Sequence, residues 1–173
     1  MGQTTNGLEL RMFENFSIPA RRIVFWARLE AGRSGSDLIE PEHFLIGLLT
    51  EDQADWRERA SYLGVDRMKV KGASPSEPFF SGEVAEKLRQ ILAQSTPPGV
   101  PKPDALDMPL GEKSKRALIA AQERAGNSTV RMLHVLWGLM TDRESSVSHL
   151  LKSNGITVKQ IEEAIENRLK RAE

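Results

Sequence analysis

The chain has 173 residues, 24 basic against 24 acidic side chains, and no cysteine. That length can bury a core in one domain or two small ones. Balanced charge speaks against a nucleic-acid-binding surface spread over the whole protein, and the absence of cysteine excludes a disulfide scaffold, a thiol nucleophile and a cysteine-ligated zinc. No apolar run reaches the roughly 18–20 residues that span a bilayer, and "MGQTTNGLELR" lacks the apolar stretch of a signal peptide. These features lead us to expect a soluble cytoplasmic protein with no membrane or nucleic-acid partner, beginning with a flexible tail over residues 1–11.

Residues 17–31 predict a first helix, with Ser17 as N-cap and Pro19 in the first turn, where a missing N–H costs little. Arginines 21, 22, 28 and 33 give it a basic face, which reads as solvated surface or as the seat of an acidic partner. Pro41 opens a second helix, with Glu40 and Glu42 at its electropositive end. Its Phe44, Leu45, Leu48 and Leu49 share one face. "ADWRERASYLG" predicts a third helix ended by Gly64. A less regular segment follows, with a possible short strand at 65–71 and the proline- and serine-rich "KVKGASPSEPFFSG". Val84, Leu88, Ile91 and Leu92 restore helical spacing from about Gly82 to Gln94. Five prolines in residues 95–109 predict an extended linker.

The second half repeats this order. Arg22, Ala27 and Ala31 return 94 residues later as Arg116, Ala121 and Ala125. "EHFLIGLLTED" returns 91 residues later within "RMLHVLWGLMTDR", pairing His43 with His134 and Gly47 with Gly138. "SSVSHLLKSNG" answers the third helix and "TVKQIEEAIENRLKRAE" the fourth. The expected fold is all-α: two pseudo-twofold-related four-helix repeats, over 12–94 (with an insertion at about 67–82) and 110–173, joined by the 95–109 linker. Each small unit would leave apolar surface that its copy can cover. The matched glycines would let a neighbouring helix approach closely.

At "FENFSIPARRIVFWARLEA…LIEPEHFLIGLL…YLGV" the chain resembles the N-terminal double repeat of the Clp ATPases, most closely the ClpC and ClpA type. Phe16, Ala20, Ala27, Glu42, His43, Gly47, Leu48 and Gly64 stand at the family spacing. Pro41 replaces the family's Thr before Glu-His, and Leu133 stands where the second repeat would carry Glu. No GxxxxGK[ST] phosphate loop occurs, so the ATPase modules of that family are absent from these residues. The resemblance implies a non-enzymatic protein-recognition module without cofactor. It would take protein or peptide substrates, adaptors, or a Clp ATPase or peptidase as partner. In some members of the family the Glu of this motif helps to read phosphoarginine, a role that would fall here to Glu42 alone. The alternatives are a detached N-terminal domain of a longer Clp ATPase, and a small helical regulatory protein binding DNA or a ligand.

The expected partner-binding residues are Glu42, His43, Phe79 and Phe80, with no catalytic or metal-binding residue. Glu42 could accept a guanidinium, or it could simply favour a helix N-terminus by about 0.3–1 kcal/mol. His43 and His134 lie on separate units without metal-ligand spacing, which suits a structural or capping role better than ligation. Phe79 and Phe80 either anchor their loop to the body or present an aromatic contact to a partner.

Overall fold

The computed structural model describes residues 11–54, 77–96, 98–102 and 107–170. Seven helices lie within them: α1 (Ile18–Arg33), α2 (Pro41–Asp52), α3 (Gly82–Ser95), α4 (Glu112–Ala125), α5 (Met132–Thr141), α6 (Ser146–Ser153) and α7 (Val158–Lys170). The expected third helix of the first repeat, the possible strand at 65–71 and most of the 67–82 insertion lie outside the described residues. The expected tail does too, apart from Arg11.

Local chemistry sets the helix starts. The Ser17 hydroxyl accepts the Ala20 N–H at 3.3 Å, Ser81 accepts that of Val84 at 3.3 Å, and Ser145 accepts that of Ser148 at 3.0 Å. Each supplies an acceptor to an N–H that the helix cannot satisfy itself. At the far end of α6, Gly155 turns the chain with φ of +80°, and the Ile156 N–H returns to the Leu151 carbonyl at 3.0 Å. That geometry favours a residue without Cβ.

In each half, two helices form the closest pair: α1 on α2 and α4 on α5. The matched glycines explain the closeness. A Cβ on Gly47 would lie 2.7 Å from the Ile23 carbonyl oxygen and 3.1 Å from the Ala27 nitrogen. A Cβ on Gly138 would meet Ala117 O and Ala121 N, the same two positions of the repeat. An ion pair recurs at the same place. Arg22 donates to Glu51 at 2.7–3.1 Å in the first half, and Arg116 reaches Asp142 at 3.4 Å in the second.

The halves are joined by two short parallel bridges, Phe16 with Val130 and Ile39 with Leu110. Ser17 N–H donates to Val130 O and Val130 N–H to Asn15 O, both at 2.9 Å. Ile39 N–H donates to Pro109 O at 2.9 Å, and Gly111 N–H to Ile39 O at 3.0 Å. Exchanging the repeats turns one bridge into the other, as a pseudo-twofold axis between the halves requires. One continuous apolar core runs through both, from Ile23, Phe44 and Leu48 to Leu118, Leu136 and Leu139. Where the proline-rich segment is described it runs along the first half. Gly99 N–H donates to Ser34 O at 3.0 Å and Lys102 N–H to Gly32 O at 2.8 Å, and the Lys102 ammonium pairs with Asp37.

Candidate functional site

His43 and His134 occupy the third position of α2 and α5, and both turn back to cap the helix they belong to. His43 Nδ1 accepts the Glu40 N–H at 2.9 Å, and His134 Nδ1 accepts the Arg131 N–H at 2.9 Å. An imidazole here replaces the carboxylate that usually closes such a reciprocal cap. Because Nδ1 accepts, the proton of the neutral ring sits on Nε2. His43 Nε2–H therefore donates to Ser34 Oγ at 3.2 Å, and Ser34 Oγ–H to Ala31 O at 3.0 Å. This chain ties the start of α2 to the end of α1. Burial pushes both imidazoles below their ordinary range, to about 4 for His134, where Arg124 and Arg131 add to the effect; at His43 the Glu42 charge opposes it.

Glu42, one residue earlier, is half-buried and faces the other repeat. Its carboxylate accepts the hydroxyl of Ser146, the first residue of α6. A carboxylate at that position meets the positive end of α6. Its counterpart Leu133 is buried at 3% exposure and carries no such contact.

Between the end of α3, the start of α2 and the start of α6 lies a cleft of about 500 Å³. Ile91, Leu92, Val147 and Leu150 supply apolar wall, while Glu42 and His43 lie at its polar side with Ser34 and Ser146. Both repeats contribute, so neither could form it alone. Among its described lining residues there are two carboxylates, Glu40 and Glu42, and no Lys or Arg.

The structure thus brings Glu42 and His43 into one cleft but separates them from Phe79 and Phe80. The phenylalanines lie at the opposite end of α2, roughly 15 Å along its axis. Phe80 is 2% exposed, and Phe79 is half-buried against the core and meets it edge-on. Asp52, at the end of α2, accepts the Phe79 N–H at 2.7 Å and the Phe80 N–H at 3.0 Å, and Gln53 Nε2 donates to Phe80 O at 2.9 Å. The aromatic-contact reading of Phe80 is therefore corrected: the ring anchors the loop and presents no face to a partner. Sequence reasoning missed Ser146, Ile91 and Leu150 as cleft residues. Their amphipathic helices were legible, but nothing local indicates that α3 and α6 converge on α2.

Residues 109–173 match the family model of the Clp repeat (R) N-terminal domain. Over 153 residues, 87% of this chain, the sequence is 26% identical to the chloroplastic chaperone protein ClpD2 of Oryza sativa subsp. japonica, of which it spans 15%. The fold is similar to the crystal structure of the N-terminal domain of the chaperone ClpD from Arabidopsis thaliana, with a TM-score of 0.61 and 24% identity, covering 91% of this chain and 99% of that one. It is also similar to the Hsp104 N-terminal domain from Candida albicans, with a TM-score of 0.59 and 21% identity, covering 90% and 92%. The family model thus covers the second repeat, and the likeness of fold to N-terminal domains of Clp-type chaperones extends over 91% of the chain.

Proposed function

We propose that the chain is a non-enzymatic protein-recognition module of the Clp chaperone–protease system, which takes a substrate or adaptor segment in the cleft between its repeats. The observation that carries this reading is the cleft itself: an apolar wall from α3 and α6 facing Glu42 at the start of α2. Its shape and lining suit an apolar side chain followed by a polar or cationic group. A carboxylate such as Glu42 pairs well with a guanidinium through charge-assisted hydrogen bonds. Phosphoarginine is favoured less, because no Lys or Arg stands among the described lining residues to meet the phosphate, and Pro41 has no N–H to offer. The histidines support a structural assignment, since each Nδ1 already holds a backbone N–H.

The chain spans only 15% of the rice relative. The same module could therefore work alone or at the head of a longer ATPase, and reading the encoding gene for a downstream phosphate loop separates the two. Cytoplasmic placement belongs to the proposal as well, since the rice protein is chloroplastic by name.

The test is a titration of peptides bearing apolar-Arg or apolar-phosphoarginine pairs against the wild type and Glu42→Ala. The expected outcome is binding of the arginine peptide that weakens by about tenfold in Glu42→Ala. Equal affinities for both peptides and both proteins would remove Glu42 from the site.

A further inference from the structure

The side chains that line the cleft have almost no hydrogen to give. The Ser34 hydroxyl donates to Ala31 O at 3.0 Å, that of Ser36 to Leu38 O at 2.7 Å and that of Ser95 to Ile91 O at 2.8 Å, while that of Ser146 donates to the Glu42 carboxylate. Each of these partners can only accept, so each serine hydrogen is committed and only lone pairs are left. The Nε2 hydrogen of His43 is committed to Ser34 in the same way. Among the described lining hydroxyls, Thr96 alone keeps its hydrogen.

The acceptors, by contrast, are charged and seated on the other repeat. Glu42 meets Ser146 in the first turn of α6. Glu40 rests on Gly111, the N-cap of α4, where a Cβ would lie 2.7 Å from its carboxylate oxygens. Both carboxylates therefore stand at positive ends of second-repeat helices, and neither pairs with a Lys or Arg among the described residues. The second repeat provides a control. Arg131 and Leu133 stand at the matching places of α5, and His134 caps that helix without either carboxylate. Capping by the histidine does not require Glu40 or Glu42.

We propose that Ser146 is a positioning residue that fixes the charge selectivity of the cleft, an inference that rests on the reading of the cleft as a peptide site. By giving its hydrogen to Glu42, Ser146 holds the carboxylate at the cleft and adds no donor of its own. It takes up one lone-pair direction of that carboxylate and leaves the others to a ligand. The occupant is a partner segment with an apolar residue beside an arginine, whose guanidinium has five donors and no acceptor. A carboxylate, a phosphate or a neutral amide would bring acceptors that find almost no side-chain donor here. An acceptor buried without a partner costs more than a hydrogen bond returns.

The test titrates fluorescein-labelled peptides into the full chain by anisotropy. One sequence carries an apolar residue followed by arginine, by citrulline (the same shape with a carbonyl and no charge) or by glutamate. The wild type is expected to bind the arginine peptide about tenfold or more above the other two. Ser146→Ala should lower that affinity by about tenfold and Ser146→Thr should restore it, with α6 intact because Ser145 caps it. Because Ser146 acts through Glu42, adding Ser146→Ala to Glu42→Ala should weaken binding no further. A purely structural role would instead add to the loss. The inference is overturned by wild-type affinity in Ser146→Ala, by no recovery in Ser146→Thr, by an additive double variant, or by citrulline or glutamate binding as well as arginine. If Glu42→Ala weakens the arginine peptide and Ser146→Ala does not, the role of Ser146 falls and the reading of the cleft stands. If no peptide binds the wild type, both fall.

Discussion

A single proton on His134 would break the cap at the start of α5, because Nδ1 can accept the Arg131 N–H only while it is unprotonated. Burial and two nearby arginines hold this imidazole at about 4, against 6.5 for the free group. The folded state thus favours the neutral ring. Its contribution to stability is complete above about pH 6.5, falls as the pH drops toward about 4, and is level below that. A difference of that size corresponds to roughly 3 kcal/mol. His43 acts in the same direction, with Glu42 opposing. The expected outcome is that urea midpoints of the wild type fall between about pH 7.5 and about pH 4.5, and that His134→Asn loses much of this fall while being less stable at the higher pH. A pH response identical in the variant would show that the cap does not titrate.

At the scale of elements, the crossings of α1 on α2 and of α4 on α5 depend on two missing methyl groups. Gly47→Ala places Cβ 2.7 Å from a backbone oxygen, and Gly138→Ala places it closer still. Backbone atoms cannot rotate away as a side chain can, so the helices must separate. Each substitution is expected to cost about 1–3 kcal/mol in a thermal or urea melt, with Gly138→Ala the larger. Much of this level was legible in the sequence. Helical spacing and serine N-caps are local signals, and the duplication marked Gly47 with Gly138 and His43 with His134 before any contact was visible. Phe80 was not legible in the same way. Two adjacent aromatics in a loop look alike whether buried or exposed, and the deciding partner, Asp52, lies 28 residues earlier with nothing in its own neighbourhood to mark it.

The molecule as a whole is held by what each repeat lends the other. Both bridges run between halves, the apolar core is continuous across them, and Glu42 of one repeat meets the first residue of α6 in the other. Residues 12–96 and 106–173 expressed separately should therefore give poorly folded chains, and mixing them should restore helical signal. Two halves that each melt cooperatively alone would contradict this. The cleft was the least legible feature, because its walls come from α2, α3 and α6, which only the tertiary arrangement brings together. A sequence pattern reports which face of a helix is apolar, not which distant helix will share a groove with it.

The crossed bridges also constrain the order in which the protein can be made. Phe16 must wait for Val130, and Ile39 for Leu110. A ribosome that has released the entire first repeat has still released neither of those partners. Until α4 and the start of α5 emerge, the segments leading into α1 and α2 have open backbone groups and uncovered apolar neighbours. Such long-range closures slow folding and lengthen the time over which a nascent chain is exposed to aggregation. For this fold the vulnerable interval lasts from the emergence of Phe16 to that of Val130.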